Sequence, residues 1–228
     1  MTSTVFLLYA LGHLALFGWA LALLLRHRTP ATVPLLIVTF GLVYDNAVLA
    51  GGVLTGPGDL LERLSVPRFF MHAFGTPLLM LTALGLVRRL RGGLTRSGFV
   101  AALVASLTIA MMMVGVEADL LSLQLEAKQS AGVVSYGNAA TQGPPIAPIV
   151  TIGVLIIAGV LVWREGGGPW LLLGAVAQFI AAAAGDAVVL AGNLGELALL
   201  AGLVVTDDRL SRKTPQPEWP GGRLKPWV

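Results

Sequence analysis

An all-helical membrane bundle of seven transmembrane helices is the fold class this sequence predicts, and three observations predict it. The chain is 56% hydrophobic and only 12% charged, where a soluble domain carries roughly 25% charged residues. Its mean hydropathy is +0.82, and its apolar residues fall in runs close to the ~20 residues a helix needs to cross a ~30 Å hydrocarbon layer. Its basic residues cluster between those runs, where Arg and Lys orient a membrane protein. One transmembrane domain over residues 1–206 and a polar cytoplasmic tail over 207–228 are expected, not several soluble domains.

The predicted spans are Thr4–Leu25, Thr32–Leu54, Phe69–Val87, Gly98–Asp119, Ile146–Trp163, Pro169–Gly185 and Ala187–Thr206. The first follows a start, Met1-Thr2-Ser3-Thr4, that lacks the basic segment of a secretory signal, so it is read as a retained helix. The last two come from one nearly continuous apolar stretch. It is interrupted at Gly185-Asp186 and again at Gly192-Asn193-Leu194-Gly195-Glu196, and the hairpin turn fits either place. The longest outer segment, Leu120 to Pro145, alternates leucines with polar residues at its start, as a segment lying along the membrane surface would. A loop of that length in a compact bundle is often a binding element.

The charges test the count. Arg26, Arg28, Arg88, Arg89, Arg91, Arg96, Arg164, Arg209, Arg212, Lys213, Arg223 and Lys225 fall on one side of the predicted topology; Arg63, Arg68 and Lys128 fall on the other. That asymmetry calls for an odd number of spans, with the N-terminus outside and the C-terminus cytoplasmic. The expected location is integral to a bacterial cytoplasmic membrane, and membrane lipids are the expected partners. The pI near 9.7 reflects these orienting loops, so no nucleic-acid partner is predicted. The sequence leaves the oligomeric state open.

Ionisable residues within spans are costly and mark functional positions. Asp45 sits inside the second apolar run. By helical rise, Asp45, His72, Glu117, Asp186 and Glu196 all fall towards the outer side, with Arg68 at the mouth of the third helix and His13 near mid-membrane. An outward-opening polar cavity floored by apolar residues accommodates them. Each residue has a plainer alternative. Asp45 and Arg68 could form a structural ion pair, Tyr44 and Asn46 could only satisfy nearby hydrogen bonds, and Glu117 and Asp119 could be wet residues at a helix end. Asp45-Asn46-Ala47-Val48-Leu49-Ala50-Gly51 also matches Asp186 to Gly192 at five of seven positions, which fits either duplication or chance matching of apolar tracts.

Several chemistries are excluded or unsupported. With no cysteine there is no disulfide, thiolate metal site or cysteine nucleophile. Only His13 and His72 are histidines placed near the cavity, so a zinc site of those two with Asp45 or Glu196 is possible but has no ligand-spacing motif. A bis-imidazole haem is unsupported for the same scarcity, and a retinal Schiff base lacks its lysine. No phosphate loop or serine elbow is present. No cofactor or metal is therefore expected. Carboxylate acid–base chemistry is better supplied, because two carboxyls in different surroundings can divide the donor and acceptor roles.

A seven-span bundle with one acid, Asp45, on its second helix and another, Glu196, on its last resembles the integral membrane terpene cyclases of the fungal meroterpenoid type, which have bacterial relatives. The similarity covers span number and acid placement; Tyr44-Asp45 stands where that family has a Trp-Glu pair. The resemblance implies protonation of an isoprenoid alkene or epoxide, ring closure and proton loss. The expected function is a membrane enzyme on a lipidic, hydrophobic substrate. Asp45, Glu196 and His72 would be its catalytic groups; Tyr44, Asn46, Arg68, Glu117 and Asp186 would bind substrate. A proton- or cation-coupled transporter and a structural membrane subunit are the alternatives.

Overall fold

In the computed structural model, which describes residues 2–90, 97–130, 132–141, 143–184 and 190–213, the chain is a bundle of seven α-helices. They are α1 (Thr2–His27), α2 (Thr32–Thr55), α3 (Asp59–Val87), α4 (Gly98–Val116), α5 (Ile146–Arg164), α6 (Trp170–Ala183) and α7 (Ala191–Lys213). The first five are long and apolar enough to cross a membrane, α4 counting the π-helical turn Glu117–Leu121 that extends it. Helix α6 is apolar but shorter.

Two boundaries differ from the sequence expectation. Helix α3 begins at Asp59, ten residues before Phe69, and runs through both Pro67 and Pro77. Its first turn carries Asp59 and Glu62, acids that favour a helix N-terminus, and the chain reaches it through Gly56 at φ +68. Helix α7 continues past Thr206 to Lys213. Asp207 is buried on it at 1% exposure, and Arg212 pairs with Asp208 one turn back at 2.9 Å. Residues 207–213 thus extend the bundle, while residues 214–228 of the expected tail lie outside the described residues. Helix α6 ends at Ala183 and α7 begins at Ala191, so the later candidate interruption, Gly192 to Glu196, is helical, while the earlier one, Gly185-Asp186, lies outside the described residues.

Helices α1, α2, α3, α5, α6 and α7 pack in a ring, each against the next and α7 back against α1, while α4 lies outside against α3 and α5. Packing between membrane helices rests on close approach more than on a hydrophobic drive, and glycines permit it here. A Cβ at Gly174 of α6 would lie 2.6 Å from the Ala198 carbonyl oxygen of α7. Gly115 of α4 sits against the Ala73 carbonyl of α3, the carbonyl that Pro77, lacking an N–H, leaves without its helical donor. The tightest apolar core, with Leu35, Leu86, Leu155, Val162, Leu171, Leu203 and Val204 all sealed, fills the end of the ring where α2 begins and α3 ends.

The other end carries a small exception to the all-helical expectation. Strands β1 (Leu125–Ser130) and β2 (Val133–Asn138) form an antiparallel hairpin, Leu125 opposite Asn138 and Ser130 opposite Val133. Gly132 in its turn has φ +77, a conformation that costs glycine little. The predicted surface-lying segment is therefore a folded cap. Val133 packs with Phe6 and Leu49. The Asn138 side chain accepts from the Gln124 and Ala140 N–H groups at 3.0 and 3.1 Å and donates to the Ala118 carbonyl at 3.0 Å.

Candidate functional site

Asp45 projects from the middle of α2 and is 2% exposed. A carboxylate so sealed is costly unless it is paired and hydrogen-bonded, and α3 supplies the partners. Arg68 Nε donates to Asp45 Oδ1 at 2.7 Å, and His72 Nε2, one turn further along the same face, lies 3.6 Å from that oxygen. The second distance is too long for a direct hydrogen bond but short enough for attraction. Arg68 Nη1 also donates to the Tyr136 carbonyl of β2 at 3.4 Å, tying the hairpin to the ion pair.

Beside this pair lies a cavity that is partly open to the outside. Its walls are mostly apolar, with Ile37, Leu42, Met71, Leu79, Ile152, Leu199 and Leu200 among them. Five polar side chains interrupt them: His72 and Thr76 from α3, Thr151 from α5, Gln178 from α6 and Glu196 from α7. His72 thus touches both the Asp45 ion pair and the cavity, its side chain 37% exposed. Glu196 is close enough to interact electrostatically with His72 and Asp45. Its Oε2 is buried with no hydrogen-bond partner, as are the Gln178 Oε1 and Thr151 Oγ1 atoms.

Of the residues singled out in the sequence, Asp45, Arg68, His72 and Glu196 come together; Glu196 and His72 line the cavity, while Asp45 and Arg68 stand behind His72. Tyr44 and Asn46 take the plainer roles. The Tyr44 hydroxyl donates to the Leu64 carbonyl at 2.8 Å. The Asn46 amide donates to the Leu42 carbonyl at 2.9 Å and accepts from Asn193 of α7 at 3.0 Å. Glu117 is exposed on the π-helical turn, away from the cavity. Its neighbour Asp119, two residues on, comes within electrostatic reach of His72. Asp186 lies outside the described residues. His13, fully buried on α1, donates from Nδ1 to the Tyr9 carbonyl at 2.8 Å, and its Nε2 has no partner.

Sequence reasoning missed Thr151 and Gln178. Gln178 carried a signal, being a lone amide inside the apolar run of α6; a threonine in a helix carries almost none. It also missed a second polar cluster. Asp207 Oδ2 accepts from the Thr32 hydroxyl of α2 at 2.7 Å, and its Oδ1 accepts from Arg89 Nη1 at 2.6 Å and from Ser211 at 3.3 Å. Thr32 and Asp45 are thirteen residues apart on one helix, about 20 Å at 1.5 Å per residue. The end of the bundle opposite Asp45 therefore holds a buried ion pair of its own.

Among the described residues no group of three or more His, Asp or Glu side chains is arranged to hold a metal ion. The arrangement can bind a largely apolar ligand carrying a polar group, and Glu196 and His72 can exchange protons with it. No family model, curated protein or solved structure matches this chain.

Proposed function

We propose that the protein is a membrane-embedded enzyme that moves protons on a lipidic substrate held in the cavity, with Glu196 and His72 as the acid–base pair. One observation carries the proposal. Glu196 is a buried carboxyl with an unpartnered oxygen in an otherwise apolar cavity that it shares with a histidine. An unpaired carboxylate there is costly, and a proton or a ligand donor relieves the cost. Buried polar groups left without partners are rare and ask for such an explanation.

In this reading the bundle spans the membrane seven times, with the hairpin outside and the Arg89–Asp207 end in the cytoplasm. The basic loops support that orientation. Glu196 delivers a proton to a carbon–carbon double bond or epoxide of an isoprenoid-like substrate, and apolar walls surround the resulting cation. Loss of a proton to His72 completes an isomerisation or cyclisation that consumes no other reactant. The sequence suggested Asp45 as the acid. Its ion pair with Arg68 and its place behind His72 suit it better to holding and polarising the imidazole, as a carboxylate does for a catalytic histidine. Tyr44 and Arg68 then support the site from behind.

The test is deuterium incorporation. Membranes containing the protein are incubated in D2O with geranylgeraniol, whose protonation at an alkene carbon leaves a non-exchangeable label, and products are analysed by mass spectrometry. A product with one carbon-bound deuterium, absent for Glu196→Gln, is the expected result. No conversion of any prenyl probe would count against the enzyme.

A transporter is the second reading, and a specific observation favours it. The cavity lies between two buried ion pairs, Asp45–Arg68 and Asp207–Arg89, both involving α3 or the turn that ends it. Ion pairs towards the two ends of the bundle, with a ligand cavity between them, suit alternately opening gates. A proton or cation flux in proteoliposomes, lost in Glu196→Gln with no lipid conversion, would favour this reading.

A further inference from the structure

Hydroxyls on the helices of this bundle follow one habit. Thr39, Ser65, Thr108 and Thr206 each donate to the carbonyl four residues back, at 2.6 to 2.8 Å, the usual way a helical hydroxyl satisfies itself. Thr82 departs from it away from the cavity, and so does Thr151 on it. Thr151 is fully buried, lines the cavity, and its hydroxyl has no partner. Gln178 of the next helix also lines the cavity, and its amide oxygen is buried without a partner against Gly195 of α7. Neither bonds to the other or to Glu196, although each would be relieved by doing so.

From these two unpartnered groups on one cavity we infer that Thr151 and Gln178 form a head-group subsite for the hydroxyl of a long-chain alcohol. The chemistry selects this class. The Thr151 hydroxyl hydrogen needs an acceptor and the Gln178 oxygen needs a donor. One alcohol oxygen supplies both, whereas an ammonium has no lone pair to offer and a hydrocarbon supplies neither. A phosphate would meet the Glu196 carboxyl with no Arg or Lys on the cavity wall to balance it. The remaining wall, with Ile37, Leu42, Leu79 and Leu199, accommodates the hydrocarbon body. The subsite rests on the cavity being the ligand site proposed above, and it does not depend on the reaction.

The experiment uses the full chain purified in detergent, with binding read by native mass spectrometry. The probes are phytol and phytane, a branched C20 alcohol and the corresponding hydrocarbon. Wild type is expected to prefer phytol. Thr151→Val and Gln178→Leu should each weaken phytol binding about 5- to 30-fold, the effect of one lost hydrogen bond in a buried site. Phytane binding should stay within about twofold. Thr151→Val should also leave the melting temperature of the ligand-free protein unchanged or higher, because it removes a hydroxyl that lacks a partner. Equal binding of the two probes by wild type would overturn the subsite. So would loss of both probes in the variants, or a lowered melting temperature in Thr151→Val without loss of phytol preference, which would mark a structural hydroxyl. The deuterium assay separates the two proposals. Selective phytol binding without deuterium incorporation removes the enzyme and leaves the subsite; incorporation with no change of preference in the variants does the reverse.

Discussion

Replacing either member of the Asp45–Arg68 pair should destabilise the bundle strongly, and replacing both should recover part of the loss. The carboxylate is 2% exposed and the Arg68 side chain 13%, so each charge depends on the other in place of water. Removing one partner of a buried pair costs about 3–5 kcal/mol, chiefly because the survivor is left uncompensated. The structure ranks the two single changes. Asp45→Asn leaves the guanidinium a 3.4 Å contact with the Tyr136 carbonyl and some exposure, so it belongs at the lower end, about 3 kcal/mol. Arg68→Gln leaves a sealed carboxylate with only His72 at 3.6 Å and belongs near the upper end. The neutral pair in Asp45→Asn/Arg68→Gln can still hydrogen-bond, so the double variant should be more stable than the sum of the singles by about 1–3 kcal/mol. Unfolding in mixed micelles, followed by circular dichroism as SDS is titrated in, measures all four corners. Additivity within about 0.5 kcal/mol would mean that the charges do not sense each other, and the account of how His72 is held would fall with it.

Asp207→Asn should cost about 2–4 kcal/mol in the same unfolding assay, because Arg89 loses its anion while Thr32 keeps an acceptor; phytol binding should not change, the cluster being remote from the cavity. Gly174→Leu should prevent α6 and α7 from docking and abolish the monodisperse peak in size-exclusion chromatography. Gly18→Ala, where a Cβ meets open space, should raise stability by up to about 1 kcal/mol through helix propensity. Asn138→Leu removes three hydrogen bonds that clip the hairpin, so amide exchange over residues 125–138 should accelerate at least tenfold while α5 keeps its protection.

Where the sequence signal was a long apolar run, it was legible: α1, α2, α4 and α5 begin and end within a few residues of expectation. It failed where tertiary contacts overrode local rules. The apolar run of the third span starts only at Phe69, yet α3 begins at Asp59 and runs through Pro67, carrying Arg63 and Arg68 onto the helix. Asp207 looked like the start of a polar tail because its charge is conspicuous in one dimension; that it is sealed by Thr32 and Arg89 depends on residues more than a hundred positions away. The hairpin was not legible: the alternating leucines run through the π-helical turn and the coil before β1 and stop at Leu125, where the strand begins. For the site, one rule found Asp45, Arg68, His72 and Glu196: ionisable groups in apolar runs mark places that matter. The same rule could not rank them, because ranking depends on which side chain lines the cavity. Thr151 was beyond it altogether, since a helical threonine betrays itself only by the hydrogen bond it fails to make.

The contrast between satisfied and unsatisfied polar groups separates architecture from function in this bundle. Asp45 and Asp207 are the most deeply buried acids, and both have short bonds to an arginine and help hold α2, α3 and α7 together. Glu196 is as apolar in its surroundings but has no such bond, and the groups nearest it in kind, Thr151 and Gln178, are also unpartnered. A chain selected only to pack would have replaced these three with leucine and valine, since each unmade bond costs about 1–3 kcal/mol. Unpartnered atoms of His13, Thr82 and Arg89 lie elsewhere, but Thr151, Gln178 and Glu196 line one cavity, and that grouping is the physical reason for assigning the chemistry to Glu196 and His72 and the scaffold to Asp45 and Arg68. It also predicts which property each group controls. Changes at the two sealed aspartates should be felt first in stability, and changes at the three unpartnered groups first in what the cavity holds.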